Sequence, residues 1–187
     1  MGSRPAGASA KEDQMAIRLS RMLDVSEGVQ PGQFGVGDRE EIHSLDDLDP
    51  VYRRLLDEPV TAVLAVMAGD GRPNLTPVWF GYERDHVILN FAEHRKKTEW
   101  VRRDPRVTIL LMNPENPYHW VSLRATVDRE VHEDDPAEGH LATETIDAAW
   151  TKYTGNPPPY GLRDPSKDER RVMFACAVER VAVFGKP

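Results

Sequence analysis

Residues 60–91 read VTAVLAVMAGDGRPNLTPVWFGYERDHVILNF, and the way short apolar runs alternate with turn residues here sets the fold class. VTAVLAVM is a strand-length apolar run closed by the turn residues GDGRP. NLTPVWFGY follows, then a second tight turn at ERD, then HVILNF. Connections this short predict three consecutive strands in an antiparallel meander. Downstream, RVTILLM (106–112) is apolar throughout and is expected to be buried on both faces. NPENP is a loop, and YHWVSLRATVDREV (118–131) alternates loosely as a long strand. RRVMFACAVERVAVF (170–184) supplies one more long strand, or a strand broken near Glu179. Six or seven mostly antiparallel strands predict a mainly β protein, a compact barrel with peripheral helices rather than a parallel α/β sheet.

Two helices are expected around this barrel. In LDDLDPVYRRLLDE, Leu45, Leu48, Tyr52, Leu55 and Leu56 form one apolar face, with Ser44 as N-cap and Pro59 as terminator. Asp134 or Asp135 followed by Pro136 opens the second helix, on which Ala142, Ile146, Ala149, Trp150 and Tyr153 share a face before Gly155 closes it. At the other end of the chain, residues 1–14 read as a disordered tail. Met15, Leu19 and Met22 fall at the spacing of a short amphipathic helix, and EGVQPGQFGVGDREE reads as a linker. The expected organisation is therefore an N-terminal extension (1–44) and one barrel domain (45–187).

With 187 residues and a formal net charge of -7, the chain has neither the basic balance of a general nucleic-acid binder nor attraction to an anionic membrane surface. No apolar run approaches the roughly 20 residues of a membrane span, and the first residues lack the apolar segment of a secretory signal. Cys176 is the only cysteine, flanked by apolar residues, and reads as a small buried hydrophobe. A soluble, cytoplasmic setting is expected. HExxH, CxxC, GxSxG, Walker A and strand-linked GxGxxG motifs are all absent, and no two histidines stand at i, i+4. No metal ligand set and no local catalytic triad is expected.

Against this acidic background, AEHRKKTEWVRRDPRV (92–107) carries six Lys or Arg in sixteen residues between two expected strands. Pro105 limits its helix to about 96–103. Arg95, Lys96 and Lys97 then stand at the positive end of the helix dipole, where carboxylates are the favoured residues. Either an anionic ligand compensates them or they form a solvated face with Glu93 and Glu99 as neutralisers. Pro77 marks a second candidate. It cannot donate to a ladder, so its strand lies at an edge or is bulged, and Trp79 is placed to wall a heterocycle.

DGRPNLTPVWF, the Lys/Arg-rich turn, RRDPRVTILL, YHWVSLRATV, KYTGNPPPYG and the final DERRVMFACAVERVAVFG together resemble the FMN-binding split β-barrel superfamily, the pyridoxamine 5′-phosphate oxidase-like group. Within it they look like the flavin/deazaflavin oxidoreductases, many of which use coenzyme F420. The resemblance spans roughly 45–185. It implies a split barrel, a homodimer with a cofactor groove between protomers, and a small-molecule substrate. By the same resemblance, Lys97 holds the cofactor phosphate with Arg95 and Lys96 beside it. Asn74, Thr76, Pro77, Val78 and Trp79 flank the ring, and Tyr118 reaches in from the partner.

Two departures stand out: Glu99 and Trp100 follow the lysine, and Arg124 occupies a position where glycine is usual. The cluster Arg95, Lys96, Lys97, Arg102 and Arg103 suits a polyanion. The implied activity is F420-dependent hydride transfer to a small conjugated substrate. An FMN-dependent oxidase or reductase and a non-catalytic cofactor- or haem-binding protein are the alternatives. No catalytic residue is assigned; water or the cofactor can donate a proton, and Tyr82, Tyr118, Tyr153 and His119 are the candidate side chains, each read first as structural.

Overall fold

The computed structural model of the protein describes residues 16–23, 27 and 35–187. Among these residues the chain forms β1 (Ile17–Leu23), β2 (Gly35–Ile42), α1 (Pro50–Asp57), β3 (Ala62–Met67), β4 (Pro73–Val78), β5 (Gly81–Glu83) and β6 (His86–Ala92). After these come α2 (Lys96–Arg103), β7 (Arg106–Met112), β8 (Trp120–His132), α3 (Gly139–Thr154) and β9 (Arg171–Phe184).

The strands form one mixed, unclosed sheet in the order β2-β1-β9-β8-β7-β3-β4, and β6 leaves this path to pair with β5 and β9. The long β9 is the axis. Its first half pairs with β6 on one edge and β8 on the other; its second half keeps β8 and takes β1 as a parallel neighbour. Leu64, Leu89, Ile109, Leu123 and Phe174 fill the interior, and Leu55 and Leu56 of α1 join the same core. A smaller cluster of Val131, Ala142 and Met173 seats α3 against the outside.

The mainly β split barrel with peripheral helices is the observed architecture, with several corrections. Nine strands are present among the described residues rather than six or seven. Residues 17–23 are a strand, not an amphipathic helix, because Arg18–Arg21 complete the free edge of β9, while Ile17 is fully buried. A short segment with weak helical tendency yields to a long-range ladder that satisfies its backbone. Residues 35–41 of the expected linker, with Ile42, form β2. The expected tail at 1–14, Met15, and linker residues 28–34 lie outside the described residues.

The meander also fails. β4 pairs with β3, but β5 and β6 leave that edge and join β9 instead. Strand β7 alternates buried Val107, Ile109 and Leu111 with partly exposed neighbours instead of being buried on both faces. Ser44 caps only a 3-10 turn, Leu45–Asp47, and Asp49 with Pro50 restarts the chain as α1. Proline holds the residue before it extended, which separates the two. Helix α3 begins at Gly139, one turn after Pro136, and ends at Gly155 in the left-handed conformation (φ 71°). Cys176 is fully buried, and burial, with Asp128 adding to it, pushes its thiol up to about 12.

Two bulges interrupt the β8·β9 ladder, at Glu179 and at Asp128. Asp128 turns to His86, whose Nε2 lies 2.9 Å from its carboxylate while Nδ1 lies 2.9 Å from Asp85. Burial opposes protonation of His86, but hydrogen bonds to Asp128 and Asp85 outweigh it and raise its pKa above 6.5. A base whose folded pKa is raised contributes stability that is complete below the unfolded pKa and is lost as pH rises through the folded one. Urea denaturation of His86→Gln against wild type should therefore show its widest gap below pH 6.5, narrowing as pH rises. A gap independent of pH would count against the paired imidazolium.

Candidate functional site

Strand β4 is one edge of the sheet, the first of the two places Pro77 allows. Its residues alternate, with Thr76 and Val78 turned inward and Leu75 and Pro77 exposed. Phe80 is fully buried and anchors the chain where it crosses to β5. Beside this crossing lies a cleft of about 290 Å³. Pro77, Val78 and Trp79 form one wall, Asn90 and Phe91 of β6 line it further, and Ile146 and Ala149 of α3 close it opposite.

Three cations converge on the cleft: Arg95, Lys97 and Arg171. Arg95 is the N-cap of α2 and makes no side-chain cap hydrogen bond. The helix is held instead by buried Thr98, which donates to the Ala92 carbonyl (3.0 Å), and by buried Val101. The half-buried Lys97 ammonium donates to Thr76 Oγ1 (3.4 Å) and lies 5.0 Å from the Phe91 ring centre. Burial lowers its pKa first, and the charges of Arg95 and Arg171 lower it further.

Arg171 went unnoticed in the sequence, although it is only 7% exposed. Its Nε donates to Asn90 Oδ1 (2.8 Å), Nη2 to the Asn90 carbonyl (3.0 Å) and Nη1 to Glu169 Oε1 (2.7 Å). Three of its five N–H groups are thereby used, leaving two. Asn90 in turn donates through Nδ2 to the Ala142 carbonyl (2.7 Å) and Thr145 Oγ1 (3.0 Å), which ties the arginine to α3. Adjacent arginines opening an apolar strand look like surface residues; only strand alternation with Met173 and Ala175 would have turned Arg171 inward.

The structure divides the expected polyanion cluster. Arg102 is held by Glu93 (2.6 Å) and Glu130, and Arg103 donates to the Met67 carbonyl (3.2 Å). Lys96 lines a separate groove with Asn74, Glu99 and Trp100. Of the residues expected at the ring and phosphate, Pro77, Val78, Trp79, Arg95 and Lys97 line the cleft, and Thr76 supports it through Lys97. Asn74 and Lys96 stand in the neighbouring groove, and Tyr118 is 75% exposed on the β7–β8 loop, away from the cleft of its own chain.

Aromatic side chains back the wall. Trp79 stacks on Tyr153 at 5.3 Å with ring planes 8° apart, and Trp150 meets the edge of Tyr160 at 5.8 Å. None of Tyr82, Tyr118, Tyr153 and His119 lines the cleft. The Tyr82 hydroxyl is held by Asp57 (2.5 Å), and burial followed by Asp57 raises its pKa. Tyr153 donates to the Val60 carbonyl (3.0 Å), and burial raises it to about 12. His119 is fully buried against Tyr52 and Asn113. The phenol that does line the cleft is Tyr160.

A family profile described as pyridoxamine 5′-phosphate oxidase matches residues 48–184, most of the chain and all of this cleft. The chain belongs to the pyridoxamine 5′-phosphate oxidase family. Among solved structures, this family member is similar to an F420 reductase (22% identity, TM-score 0.56, covering 72% of this chain and 98% of that one). It is also similar to a conserved hypothetical protein of Mycobacterium tuberculosis (22% identity, TM-score 0.51, 70% and 80% covered). A third similar structure is HutZ, a haem storage protein of Vibrio cholerae (14% identity, TM-score 0.51, 72% and 92% covered). At these identities the likeness is one of fold.

If the oxidase-family cleft seats an anion beside Lys97, that anion stabilises the ammonium against burial and the two arginines. NMR titration of the Lys97 side chain should then move to higher pH in inorganic phosphate than in chloride of equal ionic strength. Identical titrations would place the anion elsewhere.

Proposed function

We propose that the protein is an F420-dependent oxidoreductase that passes a hydride between the reduced deazaflavin and a small conjugated substrate. The observation that carries this reading is the convergence of Lys97, Arg95 and Arg171 on a cleft whose wall is Pro77, Val78 and Trp79. A phosphate-bearing planar cofactor asks for just this pairing of cationic end and flat side. Similarity to an F420 reductase fold supports the deazaflavin.

When bound, the cofactor supplies the hydride chemistry; the protein supplies binding, orientation and exclusion of water. Lys97, Arg95 and Arg171 would hold the phosphate, with Thr76 directing Lys97 and Asn90 directing Arg171. Trp79 has one face covered by Tyr153, which stiffens the wall beside the ring. Ile146 and Ala149 keep water from the opposite side. Tyr160 is the cleft phenol nearest in chemistry to a proton donor. FMN is the second reading, favoured because three clustered cations suffice for one phosphate while Arg102 and Arg103 are engaged elsewhere. A cofactor- or haem-binding protein without catalysis is the further alternative; among the described residues no histidine lines the cleft.

The reading includes a homodimer. Leu75 (65% exposed) and Met112 (38%) lie on the outward sheet face with Pro77, an apolar surface suited to a second copy, whose Tyr118 would reach the cleft. No helix among the described residues is long and apolar enough to cross a membrane, and a cytoplasmic setting belongs to this reading.

The visible spectrum of the purified protein tests the cofactor. A colourless protein that binds added F420 supports the leading reading, and retained yellow FMN supports the second. Binding of neither at micromolar concentration overturns both. Lys97→Ala should weaken cofactor binding by about tenfold or more, roughly 1.4 kcal/mol. Unchanged affinity would refute the placement of the phosphate.

A further inference from the structure

Arg124, one of the departures from the family pattern, does not stand alone. It is directly across the β8·β9 ladder from Arg180, and Arg180 is directly across the parallel β9·β1 pair from Arg18. Partners across neighbouring strands point to the same face. All three side chains are exposed in the single chain, on the same outward face that the homodimer reading gives to a second copy through Leu75, and together they line a groove of about 790 Å³, with Arg39 of β2 also along it. With strands about 4.8 Å apart, the three guanidinium stems span roughly 10 Å.

Like charges directly opposite each other destabilise a sheet, and among the described residues none forms an ion pair with Arg18, Arg124 or Arg180. Glu41 faces Arg18 from β2 and, with Glu40, stands along the β2 side of the same groove, so the cationic part is the Arg124–Arg180–Arg18 end. The nearest carboxylate in sequence is diverted: Glu179 occupies the bulge beside Arg180, and its Oε1 accepts from Thr126 Oγ1 (2.5 Å). Bulges re-aim side chains, and this one keeps an acid out of the row. Trp120, Met22 and Ala182 give the groove an apolar floor next to the cations.

We infer that the arginine row is an anion site, separate from the cleft, for a small ligand bearing two or more negative groups a few ångströms apart, an oligophosphate or a polycarboxylate. β1 supplies Arg18, and β1 lies outside the matched residues 48–184, so the third cation comes from the N-terminal extension. The inference does not depend on the identity of the cofactor.

Calorimetric titration of the full-length protein at low ionic strength with tripolyphosphate and, separately, with citrate tests it. At least one should bind below roughly 1 mM, and which one does so identifies the anion class. Arg180→Gln, at an exposed position, should weaken that binding about tenfold, matched by Arg124→Gln as an independent variant, whereas Lys97→Ala leaves it unchanged. Without anion, Arg180→Gln should melt above wild type because a like-charge contact is removed; with anion the order should reverse. Binding of neither ligand, equal affinity in the arginine variants, or loss of binding in Lys97→Ala would each overturn the inference. So would a change of oligomeric state in Arg180→Gln without any anion effect, since the row would then be answered by a second copy.

Discussion

Strand β9 crosses the middle of the molecule, where water cannot satisfy its N–H and C=O groups, so both of its edges must be covered along its length. No single neighbour does this on the second edge. β8 follows β9 almost throughout, while β6 covers the first half of the other edge and β1 takes over after it. That handover is what splits the barrel. It draws the β5–β6 hairpin away from β4, and the gap left between them is the cleft, with Trp79 and Phe80 as the crossing segment. The architecture of the site is thus a by-product of pairing one long strand.

The electrostatics of the cleft follow from the same strand. β9 begins with a buried arginine whose charge is balanced by Glu169, itself only 4% exposed in its side chain. Removing one member of such a buried pair typically costs about 3–5 kcal/mol, since the other charge stays behind. Arg171 is therefore a fixed cation rather than a mobile one, and Lys97 feels it as a permanent repulsion. The balance of the cleft is positive because one carboxylate answers three cations. Charge that looked extravagant in the sequence is divided by the fold into parts with separate tasks: Arg102 bridges carboxylates, Arg103 holds a carbonyl, and only Arg95 and Lys97 reach the cleft.

Local signals in the sequence were sound where local physics decides. Pro77 had to be at an edge or a bulge, Gly155 had to end a helix, and Pro105 had to stop α2 after Arg103; each lies where its backbone chemistry allows it. Failures came where a partner lies far along the chain. Nothing near Arg18 announces that β9, some 160 residues later, has a vacant edge, so apolar spacing at Leu19 and Met22 suggested a helix. Arg171 is hidden for a related reason: alternation can turn it inward, but Asn90, which makes its burial tolerable together with Glu169, lies some 80 residues away. Asn74 and Lys96 were placed by resemblance, and the pleat of β4 and the turn of α2 carry them into the next groove.

One consequence of the β1–β9 pairing concerns self-association. Without β1, the second half of β9 would present a row of unpaired backbone donors and acceptors, a template for any passing chain. β1 and β2 occupy that template and, among the described residues, move the border of the sheet outward to β2. There Arg39, Glu40 and Glu41 line the new edge with exposed charges, which discourage a further strand from adding. A segment that resembles a loose appendage in sequence thus works as a chain terminator for the sheet, limiting growth to a single molecule's worth of strands on that side.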